Sequence, residues 1–409
     1  MRGGLRLARW TAAIAAAAAA VLPWPNPVDA QSVYGLNFIG ESVWRGCARY
    51  TALGFSAVAV SDTNNVVTQN PSSTADLRTV TFTVHQSIGV SRIHYEEETS
   101  RQTRYLLPSV LFAVPVRPGL VLSGGYVTRT AGRADFALPL EVEGTPSGMQ
   151  NYRHDASLFY IPVTLAWRPI EMLNIAGEIR FDRGGITDRV VVSFDNAAYR
   201  DVESKRLRDF SGTSWSASAL LRPHPRLHLG ATFEAPVSYS IDETIHYTEE
   251  TLDTERSLEF ELPASWSAGL AVNVLERWWM TASYWRRQAP RSAGFEWLEG
   301  SLGEEHHFGV GVERLLGTSG GFFQWIPLRL GFSMAQWHLE FPAGTPVRST
   351  FFSIGSAFAL PGGPGSVDVT AEFGRVGSIQ DNGIDENMFR LSVSLSVSER
   401  WSRRRTIRH

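Results

Sequence analysis

Phe389 to Ser398 reads FRLSVSLSVS, and its alternation decides the fold. Phe389, Leu391, Val393, Leu395 and Val397 alternate with Arg390, Ser392, Ser394, Ser396 and Ser398. A period of two makes this a strand with one greasy face and one polar face. The pattern recurs at Val80, Phe82 and Val84, at Leu227, Leu229, Ala231 and Phe233, and at Val367, Val369, Ala371 and Phe373. It recurs again at Leu258, Phe260 and Leu262, against Glu259 and Glu261. In a soluble sandwich the apolar face would form the core; in an outer-membrane barrel it would meet lipid. Alternation alone does not separate these.

The connections do. About fourteen strands can be marked between residues 78 and 401, joined alternately by short turns and longer polar links. The short turns include Arg117-Pro118, Arg168-Pro169-Ile170-Glu171 and Arg222-Pro223-His224-Pro225. The longer links include Ala131 to Tyr152 and Gly185 to Arg208. Trp167, Trp278, Trp279 and Trp401 lie near short turns or the end, where an aromatic girdle belongs. This asymmetry predicts an all-β, transmembrane antiparallel β-barrel with both ends of the chain on the short-turn, periplasmic side.

Before the strands the pattern changes. Arg2, Arg6 and Arg9 precede an alanine-rich apolar run from Thr11 to Leu22, and Val28 and Ala30 suit a cleavage site. Residues 1–30 are therefore expected to be a cleaved signal peptide. Residues 31–77 lack the strand period. Within them Ala52 to Leu77 reads ALGFSAVAVSDTNNVVTQNPSSTADL: small and apolar, then rich in turn formers. That mixture suits a compact plug, or hatch, inside a barrel at 78–401. Residues 402–409 form a basic tail.

Charge is balanced, 38 basic against 41 acidic side chains, which gives no support for a nucleic-acid partner. Cys47 is the only cysteine, so no intrachain disulfide exists. No Ser/His/acid set can be placed and no cofactor motif is present, so an enzyme is not expected. His306-His307 follows Glu304-Glu305, but neighbours on a strand point to opposite faces, which is poor geometry for a metal.

With a barrel in place, the stretch before the first strand resembles the N-terminal region of FadL-type outer-membrane transporters. Gly54, Ala57, Ala59, Asp62 and Asn70-Pro71 match that family's order of small residues, Asp and Asn-Pro, and Gly35-Leu36-Asn37 resembles its mature N-terminus. Ser72 stands where the family has Ala, and the following Gly is missing. The resemblance implies a hatch inside a fourteen-stranded barrel and diffusion of hydrophobic molecules such as long-chain fatty acids or hydrocarbons. It also implies lipid contact and passage through the barrel-assembly machinery; the strand pattern with its one-sided short turns itself predicts a monomeric barrel in the outer membrane. Some relatives instead anchor or secrete partner proteins, which is the alternative function.

Candidate site residues follow. Phe38, Leu53, Phe55 and Val58 could form a hydrophobic pocket in the hatch, or simply pack it to the wall. Arg180 and Arg329 could meet a substrate carboxylate, since the guanidinium fork binds one bidentately. They could equally belong to ion pairs with Glu178, Asp182, Glu234, Glu259, Glu261, Glu313, Asp368 and Glu372. Ser123-Gly124-Gly125 interrupts the third strand. FadL-type proteins are similar in having a kink there, so Gly124 and Gly125 could mark a lateral gate, or could make room for the hatch.

Overall fold

The computed structural model describes residues 32–399, except 37–38, 45, 96–97, 141–146, 197, 248–253, 294–301, 317–325 and 361–364. The expected signal peptide, Phe38, Trp401 and the basic tail lie outside the described residues.

Fourteen antiparallel strands form the wall. They are β1 (Val80–Tyr95), β2 (Glu98–Arg117), β3 (Leu120–Leu140), β4 (Gly148–Ile170), β5 (Leu173–Phe194) and β6 (Val202–His224). Three strands are interrupted: β7 (Leu227–Glu234 and Val237–Tyr247), β8 (Thr254–Leu262 and Ser265–Leu275) and β9 (Trp278–Arg287 and Arg291–Ala293). The rest are β10 (Glu305–Arg314), β11 (Leu328–Glu340), β12 (Pro346–Ala359), β13 (Gly365–Ser378) and β14 (Ile384–Glu399). Strand β14 pairs with β1 from Ile384–Tyr95 down to Glu399–Val80, which closes the barrel. Closure leaves neither the first nor the last strand as a free edge.

The lower half, toward the short turns, is inside-out relative to a soluble protein. On β4, Ile161, Val163, Leu165 and Trp167 are exposed, while Thr164 and Ala166 are buried. On β5, Ile175, Ile179 and Phe181 face outward and Asn174, Glu178, Arg180 and Asp182 face in. An apolar exterior around a polar lumen is the signature of a membrane barrel.

The strands run further than the sequence suggests. The segments 131–152 and 185–208, expected as long loops, are mostly strand: β3 continues to Leu140 and β5 to Phe194. Strands β4 and β6 have 23 residues each. A membrane needs only about 9–11 per strand, so this wall stands well clear of the bilayer.

Above the bilayer the polarity reverses. Pro236, Pro263 and Pro290 lie in the breaks or at the break edge of β7, β8 and β9, at one level of the wall. Proline donates no ladder hydrogen bond, so it sits where pairing stops. The extra residues in the β7 and β8 breaks flip the strand faces. Below, Gly230, Thr232 and Glu234 face in; above, Val237, Tyr239 and Ile241 do. Phe260 and Leu262 also turn inward and join Leu158, Ile186 and Phe210 in an apolar cluster. Glu259 is exposed on the outside, which corrects its expected lumenal position, and Glu261 shares its face. The upper storey is thus built like a soluble protein on top of a membrane one.

This two-storey plan is testable by charge insertion. Ile179→Arg, in the lipid band, should cost about 2–4 kcal/mol of folding stability. Ser240→Arg, above the breaks, should be nearly neutral. Urea titration of the heat-modifiable band on gels, after refolding into vesicles, would compare them.

Candidate binding site

The segment expected as a hatch packs against the wall as a short strand Glu41–Ser42, a one-turn helix α1 (Ala48–Ala52), an irregular run and a 3-10 turn Pro71–Asp76. Its seat on the wall is a patch of glycines. Gly230, Gly269, Gly309, Gly311 and Gly331 lie at lumenal positions on β7, β8, β10 and β11. A Cβ on Gly230 would overlap the Val58 carbonyl, and one on Gly309 or Gly331 would overlap the Gly54 backbone. Gly54 has φ +62° and presses against the backbone of Phe332 in turn. Here glycine is required by close approach.

Asp62 organises the hatch from within. It is fully buried and accepts hydrogen bonds from Tyr50 Oη (2.9 Å), Asn64 N (2.8 Å), and Asn65 N and Nδ2 (3.0 Å each). Arg49 pairs with it at 2.8 Å and also reaches Glu313 on the wall. Burial works against the Asp62 charge, but Arg49 and these donors hold its carboxyl below the ordinary carboxylate range. Asn70 caps the Pro71 turn: its Oδ1 accepts from Ser72 N, and its Nδ2 donates to the carbonyls of Val58 (2.6 Å) and Ala219 (3.0 Å). Asp76 then ties the end of the hatch to Arg168, Arg222 and Asn174 at the short turns.

Between hatch and wall lies a small hollow lined by Trp44, Phe55, Val58, Trp285 and His307. Trp44 packs at 4.3 Å on His307 and edge-on at 5.5 Å to Trp285. Polar groups form its rim: Arg129, Glu234, Arg287 and Glu305. A second hollow shares Trp44 and Phe55 and runs to Arg104 and Leu106. A third shares Arg104 and Leu106 and reaches Tyr126, Thr128 and Ser157.

That third hollow is a gap in the wall. Strands β2 and β3 pair from Arg117–Leu120 up to Ser109–Val127, and among the described residues no register pair joins them above that point. Beyond it β3 pairs instead with the hatch, Ala131 with Glu41 and Thr130 with Ser42. Thr128 Oγ1 donates to the Leu107 carbonyl at 2.7 Å, and Arg104 of β2 holds Glu41 at 2.9 Å and Glu386 at 2.7 Å.

A family model named BamG matches residues 14–408, nearly the whole chain. The chain belongs to the BamG family. No curated protein matches it in sequence. This BamG-family barrel is similar in structure to a FadL homologue of Pseudomonas aeruginosa, with TM-score 0.62 and 11% identity over 89% of this chain and 100% of that one. It is also similar to the toluene transporter TodX of Pseudomonas putida, with TM-score 0.61 and 13% identity over 88% of this chain and 99% of the other. For the toluene transporter TbuX of Ralstonia pickettii the values are 0.57 and 10%, over 87% and 98%. The fold is that of FadL-type outer-membrane barrels.

The BamG-family chain brings together only part of the set read from sequence. Phe55 and Val58 line the cavity. Leu53 does not: it packs with Cys47, Tyr50 and Ala57 inside the hatch. Arg180 is held by Glu178 and Glu234 (3.0 Å) and lies over Tyr160; Arg329 is held by Glu313 (2.7 Å) and Asp368. Neither guanidinium lines the aromatic cavity, and carboxylates already occupy both. Gly124 and Gly125 do not make room for the hatch. Their close neighbours are Pro162 of β4 and Val110 of β2. Trp44, Trp285 and His307 also line the cavity, and in the sequence each alone is an ordinary aromatic.

The glycine seat predicts a separable phenotype. Gly331→Val should still give a folded, heat-modifiable barrel but displace the hatch and raise ion conductance severalfold in planar bilayers. Acid should act similarly. The Asp62 contribution is present above the ordinary Asp range, near about 3.9, and is lost as pH falls through its lowered value. Protease sensitivity of the hatch should therefore appear only below that range.

Proposed function

We propose that this protein is a passive outer-membrane channel for small hydrophobic molecules, which enter the aromatic cavity and leave sideways into the bilayer between β2 and β3. One observation carries the reading: three hollows linked by shared residues run from Trp44 and Phe55, past Arg104 and Leu106, to the gap in the wall. A greasy molecule keeps the benefit of burial, about 25 cal/mol per Å², if it passes into lipid and not into periplasmic water. The structural likeness to toluene transporters and to a FadL homologue supports the same reading. Between substrates, compact neutral molecules are favoured over fatty acids, because Arg180 and Arg329 are already engaged.

Gly125 would serve as the hinge. At φ +148° it adopts a conformation open to glycine, two residues before β3 parts from β2. A valine there would strike the Val110 carbonyl, so the gate is better tested by filling it. Leu107→Trp with Ser157→Trp should lower uptake of radiolabelled toluene severalfold in cells while the protein remains heat-modifiable. Full uptake by the folded variant would refute the lateral route. No uptake by the wild type would favour a barrel that anchors partner proteins.

A further inference from the structure

Three of the four charged groups that line the aromatic cavity, Glu234, Arg287 and Glu305, belong to one lumenal row. Glu178, Ser216, Glu234, Ser265, Arg287 and Glu305 are successive cross-strand partners on β5 to β10. The row lies immediately below the proline breaks, so its position along the axis is set by them. The charged side chains that line the cavity are Arg129 and Arg287 against Glu234 and Glu305, and ion pairs carry the network outward to Asp182, Arg180 and Glu178.

Within this network Glu305 is engaged through one oxygen. This side chain is 1% exposed, and only its Oε2 is engaged, by Arg287 at 3.3 Å. Its Oε1 has no hydrogen-bond partner among the described residues. The nearby His338 does not satisfy it, since His338 Nε2 is also without a partner. Arg287 is itself shared, 3.7 Å from Glu234 and stacked at 4.8 Å over Trp285. A buried acceptor left unmade is costly, and a ligand that supplies a donor recovers that cost.

We propose that Glu305 is the polar recognition point of this cavity and that the ligand is an aromatic ring bearing an O–H or N–H donor, such as a phenol or an aniline. The inference rests on the channel reading above and narrows it. The ring would pack among Trp44, Phe55, Trp285 and His307, with its donor aimed at Glu305 Oε1. A plain hydrocarbon leaves the acceptor unmet, and a carboxylate brings like charge to it.

The experiment is calorimetric titration of the purified protein in mild detergent with toluene, p-cresol and benzoate. Water solvates the cresol hydroxyl, so a merely greasy cavity would favour toluene. The expected result is the reverse: p-cresol binds about tenfold or more tighter than toluene, and benzoate shows no binding. Glu305→Leu should abolish the preference for p-cresol over toluene. Glu305→Gln, which keeps the shape and one acceptor, should retain part of it and guards against a folding defect in the leucine variant. Equal or tighter toluene binding by the wild type would overturn the inference and leave the channel standing. A preference that survives Glu305→Leu would overturn the role of Glu305. Failure of toluene and cresol alike to bind would overturn both the inference and the channel reading.

Discussion

Hatch and wall touch backbone to backbone, and that contact exists only where the wall carries no Cβ. Gly230, Gly309 and Gly331 leave a smooth patch on which Gly54 to Val58 lies, and Asp62 keeps the segment folded as it lies there. The rest follows from this seat. With the irregular run pinned to β7–β11 and Asp76 tied to the short turns, Trp44 and Phe55 are held opposite Trp285 and His307, and the cavity forms between them. The Glu41–Ser42 strand is held on the far side, where it takes the place beside β3 that β2 has left.

The proline level is the second organising constraint. A strand that gains residues at a break presents its other face to the lumen, because its side chains alternate. On β7 and β8 this converts a lipid-facing apolar set into an interior cluster, and lets one chain build a membrane wall below and a water-exposed wall above. The cavity's polar rim lies just under that change.

The lumenal charges have a mainly architectural use. Arg49, Arg104, Arg180, Arg208 and Arg329 each reach two carboxylates, often on different strands or across from the hatch. Buried pairs add little net stability, since desolvation offsets attraction, but removing one partner is strongly destabilising. They therefore fix register and hatch position more than they add strength. Among the described residues several buried side-chain oxygens lack a hydrogen-bond partner, and Glu305 Oε1 is the one that belongs to the lining of the aromatic cavity.

The amino-acid sequence by itself determined the strand pattern and the closed barrel, and it marked residues 31–77, with Asp62 and Asn70-Pro71, as a stretch outside the strand period. These rest on local rules: alternation with period two, turn chemistry, and short side chains that bond their own backbone. It also carried signals that local reading passes over, namely lumenal glycines on adjacent strands and prolines 27 residues apart at 236, 263 and 290. Only the tertiary structure decided which face Phe260 and Glu259 present, because break residues on β7 and β8 reverse everything beyond them. Only it decided that Arg180 and Arg329 are held in ion pairs while Glu305 Oε1 has no hydrogen-bond partner among the described residues, and that Trp44 meets His307. Those partners are far apart in the chain, and their meeting depends on register and on the seat of the hatch, which no window of sequence contains.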